Sequence, residues 1–179
     1  MKIYTRKGDD GTTGLLFGGR VSKNSPQPAA YGEVDEAQAV LGLVRAECER
    51  GGELDELLIR LERDLWVLMG ELATAPDNRH KLQPGTSLVT VEMVAALEPL
   101  IDDLTARFKP LTDFVVPGEN RTAALLDLAR TVVRRAERRC VDVAVEGSHV
   151  VAYLNRLSDL LWTMARAQEE QSLPTRERT

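Results

Sequence analysis

The chain has 179 residues, of which 43% are hydrophobic, 28% are charged and only 4% are aromatic. This length suits one domain with a substantial core, and the abundance of Leu, Ala, Val, Glu and Arg favours helices over a β-sandwich. The formal net charge of -5 argues against a nucleic-acid-binding protein, because counterion release from a phosphate backbone needs a basic face.

The sequence shows no sign of secretion or of a membrane span. Met1 to Tyr4 lead directly into polar sequence, and no stretch approaches the roughly 20 apolar residues that a spanning helix needs. Cys48 and Cys140 match no metal-binding or redox spacing and are expected to be small core residues. These features predict a cytoplasmic protein.

Residues 1–25, here called the N-terminal loop, are rich in glycine, hydroxyl groups and cations and lack helical or strand periodicity. Glycines let a backbone approach an anion closely, and successive N–H groups in a tight turn form an anion-binding concavity. The loop is therefore a candidate phosphate site, although it does not match a Walker A motif. The alternative is a flexible, solvated arm. Cations and hydroxyl groups are available at Thr5, Lys7, Thr12, Thr13, Arg20 and Lys23.

Periodic apolar positions predict five helices, over about residues 29–49, 53–75, 90–108, 121–145 and 148–171. Thr90 is expected to cap the third helix and Pro99 to kink it. Residues 76–87 are expected to form an exposed, irregular connection. Without βαβ alternation, the sequence predicts a single all-α domain that comprises the irregular N-terminal loop, a five-helix bundle (26–172) and a frayed tail (173–179).

The fourth predicted helix concentrates five arginines within ten residues, which is unusual in an acidic protein. One interpretation is a solvated face with intrahelical Arg–Glu pairs. The other is a clamp for a polyanion, because guanidinium groups hold phosphate oxygens in fixed geometry. The residues concerned, with the glutamate among them, are Arg130, Arg134, Arg135, Glu137, Arg138 and Arg139.

Three further positions each have two interpretations. Asn155 lies in a polar stripe of the fifth helix, where it either bonds to a neighbouring helix or binds a metal ion or a base edge. Asp35 lies either on a solvated face or in a comparable polar stripe of the first helix. Phe114, in a proline-flanked loop, either plugs one end of the bundle or forms a wall of a ligand pocket. His80 and His149 lack partners at ligand spacing, so catalysis by histidine is not expected.

Three blocks of sequence together resemble the PduO-type ATP:cob(I)alamin adenosyltransferases. The first is residues 5–13 (TRKGDDGTT) with Arg20, Val21 and Lys23, and the second is residues 30–36 (AYGEVDE). The third is spread over residues 114–118 (FVVPG), 129–139 (ARTVVRRAERR) and 154–159 (LNRLSD). The blocks keep the family's order and span nearly the whole chain.

The resemblance implies a five-helix bundle that assembles as a homotrimer with active sites at subunit interfaces. The family transfers the 5′-deoxyadenosyl group of ATP, with Mg²⁺, to the cobalt of cob(I)alamin and releases triphosphate. Reduced cobalt is itself a strong nucleophile, so no Ser–His or Cys–His pair is needed. The alternative function is a carrier that delivers adenosylcobalamin to a mutase.

By position, the resemblance assigns ATP binding to residues of the N-terminal loop and of the last two helices. They are Thr5, Arg6, Lys7, Gly8, Thr13, Gly14, Lys23, Arg134, Arg135, Glu137, Arg138 and Asn155. Asn155 would also hold Mg²⁺, and Arg134 would take part in catalysis. Asp35 and Arg130 match a pair that bridges neighbouring subunits. Phe114 matches an aromatic residue that lies below the corrin and displaces the lower axial base.

The chain departs from the family pattern at three places. Glu119 and Asn120 replace a glycine and a small hydroxyl residue, Gln38 replaces an asparagine, and Trp162 stands where phenylalanine is common. We expect these changes to affect cobalamin binding more than ATP binding. The altered loop at Glu119 also motivates the carrier alternative.

Overall fold

The computed structural model describes residues 3–109, 111 and 113–176. Within them the chain is mostly helical, as predicted, with one small antiparallel sheet. The strands are β1 (Thr12–Gly14) and β2 (Arg20–Ser22), and a 3-10 helix spans Pro76–Lys81. The α-helices are α1 (Pro26–Ala46), α2 (Glu53–Leu72), α3 (Val91–Ala95), α4 (Glu98–Thr105), α5 (Arg121–Val141) and α6 (Val150–Ala167).

The four long helices α1, α2, α5 and α6 form an antiparallel bundle. At one end, Gln27 at the start of α1 donates from Nε2 to the carbonyl of Leu72 at the end of α2, over 2.6 Å. At the other end, Asn120 before α5 donates to the carbonyl of Gln168 after α6, over 2.7 Å. We call the first the loop end and the second the tail end. With 18–21 residues each, these helices separate the two ends by about 30 Å.

Apolar stripes on the long helices meet in a continuous core. Leu58, Leu61, Leu65 and Leu68 of α2 are fully buried, at the helical spacing that the sequence predicted. Burying a leucine side chain contributes roughly 1.5–3 kcal/mol, so this stripe fixes which face of α2 points inward. Among the described residues, no helix is long and apolar enough to cross a lipid bilayer.

The prediction of five helices is wrong in number, because the third predicted helix is two. The Thr90 hydroxyl accepts a hydrogen bond from the Met93 N–H over 3.3 Å, so the predicted cap is confirmed. The first piece ends at Ala95, and Pro99 lies in the first turn of α4. A proline has no N–H to donate and is best tolerated in a first turn, so Pro99 marks a helix start rather than a kink.

Two helix ends and the connection after α2 differ from the prediction. The helices α5 and α6 end four residues earlier than predicted, at Val141 and Ala167. The connection after α2 is ordered by the buried Glu71, whose carboxylate accepts from Arg79 over 2.9 Å and from the Val89 N–H over 2.8 Å. A buried carboxylate must be hydrogen-bonded, and this requirement folds the connection against the bundle.

The tail is not frayed where it is described. The Leu173 carbonyl accepts from the Val116 N–H, and the Thr175 N–H donates to the Phe114 carbonyl, each over 2.8 Å. The segment therefore pairs antiparallel with the loop before α5. Residues 177–179 of the predicted tail lie outside the described residues.

Candidate functional site

The N-terminal loop contains a β-hairpin, so the prediction of an irregular segment is wrong over residues 12–22. Thr12 pairs with Ser22 and Gly14 with Arg20, and the connecting turn uses positive φ angles at Gly18 (101°) and Gly19 (95°). Three-residue strands are too short to show an alternating apolar pattern, so they could not be predicted from the sequence. The Leu16 N–H donates to the Ala73 carbonyl over 2.9 Å and anchors the hairpin at the loop end.

Arg20 holds the hairpin together. Its Nε donates to the Thr12 hydroxyl over 2.9 Å, and its Nη2 donates to the Lys7 carbonyl over 2.5 Å. The Thr12 hydroxyl donates in turn to Asp10 over 2.8 Å, and this bond lowers the pKa of the Asp10 carboxyl. Arg20 and Thr12, which the sequence offered as phosphate donors, are therefore engaged in shaping the loop.

Among the predicted ligands of the loop, Lys23 packs against Gly8. A Cβ atom on Gly8 would lie 3.0 Å from Lys23 Nζ and 3.2 Å from the Thr12 carbonyl, so a larger residue would have to displace the lysine slightly. Arg6 has a φ of 61°, in the left-handed region that side chains rarely adopt. The solvent-exposed residues of the set are Thr5, Arg6, Lys7, Gly14 and Lys23, while Gly8 and Thr13 are half-buried.

The arginines of α5 fall on two flanks with different neighbours. On the flank that faces α1, Arg135 Nε lies 2.5 Å from Glu33, and its Nη2 pairs with Glu36. The hydrogen bonds that Arg135 donates to these carboxylates, the one to Glu36 first, raise the pKa of its guanidinium. Two carboxylates thus neutralise the charge of Arg135, so this predicted phosphate ligand braces α1 against α5.

The other flank faces solvent beside α6. Arg134 and Arg138 are exposed, and neither pairs with a carboxylate of the described chain. Arg138 donates to the Arg134 carbonyl over 3.0 Å. Asn155 Nδ2 donates to Glu137 Oε1 over 3.0 Å and joins the two helices. This surface, here called the α5–α6 face, offers two guanidinium groups that no described carboxylate neutralises, beside the Glu137 carboxylate and the Asn155 amide.

The α5–α6 face fits a metal ion that arrives with phosphates. Mg²⁺ is usually held by one or two protein oxygens together with substrate phosphates and water. Glu137 and Asn155 can supply such oxygens, and the described residues contain no cluster of three or more His, Cys, Asp or Glu that would form a protein cage. Burial raises the pKa of the Cys140 thiol to about 12, so this residue is not a nucleophile.

The expected subunit bridge is not paired within the single chain. Arg130 Nε lies 3.3 Å from Asp127 on the same helix, and Asp35 is exposed on α1. Leu43 of α1 and Leu128 of α5 are apolar residues of the same two helices and are 53% and 46% exposed. Large apolar side chains exposed to this degree are typical of a surface that another chain can cover.

Phe114 does not plug the bundle. Its side chain is 79% exposed at the tail end, where Leu173 and Thr175 hold its loop by backbone hydrogen bonds. The interpretation of Phe114 as a core residue is therefore wrong. The Phe114 side chain is available to a ligand at the opposite end of the bundle from the hairpin.

Sequence reasoning did not identify a groove of about 520 Å³ between α4 and α6. Its lining includes Ile101, Thr105, Arg156, Asp159, Trp162 and Thr163. Trp162 packs edge-on against Phe108, with ring centroids 6.2 Å apart. The helical spacing of Asn155, Asp159 and Trp162 was the available signal, and it places the tryptophan about 10 Å along α6 from the α5–α6 face.

Comparison with known proteins identifies a family and several relatives of this chain. A family model described as cobalamin adenosyltransferase matches residues 3–168. The corrinoid adenosyltransferase PduO of Citrobacter freundii is 41% identical over 180 residues, which cover 96% of this chain and 51% of that protein. The chain thus spans about half the length of that relative. The corrinoid adenosyltransferase of Bacillus subtilis (strain 168) is 39% identical over 179 residues, covering 96% and 89%.

Solved structures of corrinoid adenosyltransferases have a similar fold. A variant of the PduO-type ATP:corrinoid adenosyltransferase from Lactobacillus reuteri, complexed with cobalamin and ATP, superposes with a TM-score of 0.85. It is 32% identical and covers 96% of this chain and 94% of its own. With a family model over most of its length and relatives at about 40% identity, the chain belongs to the cobalamin adenosyltransferase family.

Proposed function

We propose that this protein transfers the 5′-deoxyadenosyl group of ATP to the cobalt of cob(I)alamin, giving adenosylcobalamin and triphosphate. The observation that carries the proposal is the α5–α6 face, where Arg134 and Arg138 have no carboxylate partner among the described residues and lie beside the Glu137–Asn155 pair. A triphosphate leaving group needs such unneutralised cations. The Lactobacillus reuteri relative, which is complexed with cobalamin and ATP, supports both substrates.

The reaction needs positioning and charge neutralisation rather than a protein nucleophile. The electron pair of Co(I) attacks C5′ of ATP, a Co–C bond forms, and the C5′–O bond breaks with its electron pair leaving on triphosphate. Arg134 and Arg138 would stabilise the charge that develops on the leaving group. Asn155 and Glu137 would hold Mg²⁺ and the nucleotide so that C5′ faces the cobalt.

The N-terminal loop would wrap the triphosphate with its exposed cations and hydroxyl groups. Arg20 would preserve its shape, since it bonds to Thr12 and to the Lys7 carbonyl. No hydrogen bond or ion pair of the described chain joins this loop to Arg134 or Asn155. We infer that the loop reaches the α5–α6 face of a neighbouring copy.

A homotrimer with sites at subunit interfaces meets this requirement. Asp35, which is exposed on α1, would pair with Arg130 of the next copy. Mixing two variants that are each inactive tests the arrangement. Lys23→Ala damages the loop and Arg134→Ala damages the face, so mixed trimers regain some sites with both parts intact. Recovered activity on mixing supports an interfacial site, and no recovery on proven subunit exchange contradicts it.

The corrin would lie towards the tail end, between the exposed Phe114 and the α4–α6 groove that carries Trp162. An aromatic ring below the corrin can displace the lower axial base of cob(II)alamin. Four-coordinate cobalt is easier to reduce, because loss of an axial donor lowers the energy of the orbital that accepts the electron. We assign this role to Phe114, because its exposed side chain is available to a ligand.

The altered loop at Glu119 has a structural explanation, which weakens the motive for the carrier alternative. Asn120 is the N-cap of α5, where its Oδ1 accepts from the Ala123 N–H over 2.8 Å. Its Nδ2 donates to Glu119 over 2.7 Å. Delivery of the product to a mutase and a cytoplasmic location stay predictions from the sequence.

The deciding experiment is a visible absorbance time course with cob(I)alamin held reduced and MgATP in excess. Many turnovers per protein chain, with release of adenosylcobalamin, are the expected result. A change that stops at about one equivalent per site would favour the carrier. No spectral change would overturn both functions.

A further inference from the structure

We propose that Arg166 is a positioning residue for the corrin side of the site, because its buried guanidinium holds Trp162 and the chain segment that supports the Phe114 loop. The inference rests on the proposed function. Arg166 itself would touch neither substrate, since its side chain is 2% exposed.

The charge of Arg166 is buried between two carboxylates. Its Nη2 lies 2.5 Å from Asp127 Oδ2 and 2.9 Å from Glu169 Oε1, and both acidic side chains are at most 6% exposed. Replacing a buried ion pair with apolar side chains is often neutral or stabilising. The stability of the bundle therefore gives no sufficient reason for three charged side chains at this position.

The first structure that this network fixes is the wall of the groove. The guanidinium of Arg166 lies 5.9 Å from the ring centre of Trp162, one helical turn earlier on α6. The edge contact with Phe108 restrains the same indole from another side. A ring held by two neighbours loses little freedom when a flat ligand packs against it, which strengthens binding.

The second structure is the tail. Glu169, held by Arg166, accepts from the Ser172 hydroxyl through its other oxygen, over 2.6 Å. The next residue, Leu173, accepts from the Val116 N–H, two residues after Phe114. A chain of contacts therefore runs from the buried arginine to the loop that presents Phe114.

The third structure that this network fixes is the arginine of the expected subunit bridge. Asp127 accepts from Arg166 at one oxygen and from Arg130 at the other, over 2.5 Å and 3.3 Å. One buried carboxylate thus orients both the core arginine and the arginine that would face the neighbouring copy. Both aromatic residues of the corrin side and the bridge depend on the same cluster.

Arg166→Met tests the inference. We expect the Kd for cob(II)alamin, measured in MgATP by visible difference titration, to rise by about 5- to 20-fold. The fraction of bound cob(II)alamin that loses its lower axial base, measured by EPR, should fall. The Kd for ATP alone, measured by calorimetry, should stay the same. A parallel rise of both Kd values, or no change in the cobalamin Kd, would overturn the positioning role.

Arg45→Met is the matched control. Arg45 makes a comparable ion pair with the buried Asp55 over 2.7 Å, but between α1 and α2 and away from the groove. This variant should lower the thermal midpoint without changing cobalamin binding. Arg166→Lys keeps a cation for Asp127 but loses the planar group over Trp162, so it should recover only part of the affinity.

Two further variants keep the test decisive. If Arg166→Met does not fold, Glu169→Gln replaces it, because this change leaves the pair between Arg166 and Asp127 intact. It should weaken the contact between Arg166 and the tail and so lower the fraction of bound cob(II)alamin that is four-coordinate. An unchanged fraction would overturn the inference. Trp162→Leu distinguishes a failure of this inference from a failure of the proposed reaction. Should it leave cobalamin affinity unchanged while turnover persists, the groove is not the corrin site and the inference fails although the proposed reaction stands.

Discussion

Arg134 and Arg135 are neighbours in the sequence, yet the two flanks of α5 give them opposite roles. Two carboxylates from α1 neutralise Arg135, whereas Arg134 faces solvent without an acidic partner in the described chain. An incoming phosphate would have to break the contacts of Arg135 but can approach Arg134 directly. A cluster of arginines therefore does not act as one unit, and the surrounding carboxylates decide which charges are free to bind.

Arg134→Ala should give the largest effect on this comparison. We expect kcat with pre-reduced cob(I)alamin to fall by about 100-fold or more, because a charge that stabilises the leaving triphosphate is lost. The thermal midpoint should not change, since the side chain is exposed. Arg63→Ala, which removes an exposed arginine from α2, is the control and should keep full activity. Retained turnover in the Arg134 variant would refute the assigned role.

Phe114→Ala should have the next largest effect and should depend on the route of reduction. We expect a loss of about tenfold or more when cob(II)alamin and a reductant are supplied, because the lower axial base is no longer displaced. Reaction with cob(I)alamin prepared in advance should be nearly unaffected. Both rates are measured on the same preparation, so their ratio is its own control. Equal loss on both routes would contradict displacement of the base.

Arg135→Ala tests whether the two flanks of α5 have different roles. We expect a lower thermal midpoint, because the side chain links α5 to Glu33 and Glu36, and a change in KM for ATP of less than about threefold. Thermal denaturation and steady-state kinetics check the two parts. If kcat falls as far as in Arg134→Ala, the flanks are not distinct.

The smallest expected effect is a pH-dependent loss of stability in Asp55→Asn. The Gly51 N–H, and then the Arg45 guanidinium, hold the pKa of the Asp55 carboxyl below its usual value of about 3.9. The stability that ionised Asp55 contributes is therefore present above that value and is lost as the pH falls through the lower pKa of the folded state. Urea denaturation should show a difference between variant and wild type at pH 7 that disappears at strongly acidic pH. A difference independent of pH would contradict this.

The sequence by itself determined the long helices, the Thr90 cap and the family. Apolar residues at helical spacing specify which face of a helix is buried, and the cap is a local contact between Thr90 and Met93. The resemblance also named Arg134 and Asn155, which the fold brings to one surface.

Only the tertiary structure decided how each charge is used. Arg135 meets Glu33 across 102 positions of sequence, and Arg166 meets Asp127 across 39. The pairing of the tail with the Phe114 loop likewise joins distant segments. No local pattern encodes such contacts, because they depend on which helices become neighbours once the apolar stripes are buried. The same packing that hides the stripes therefore selects which arginines remain free for a ligand.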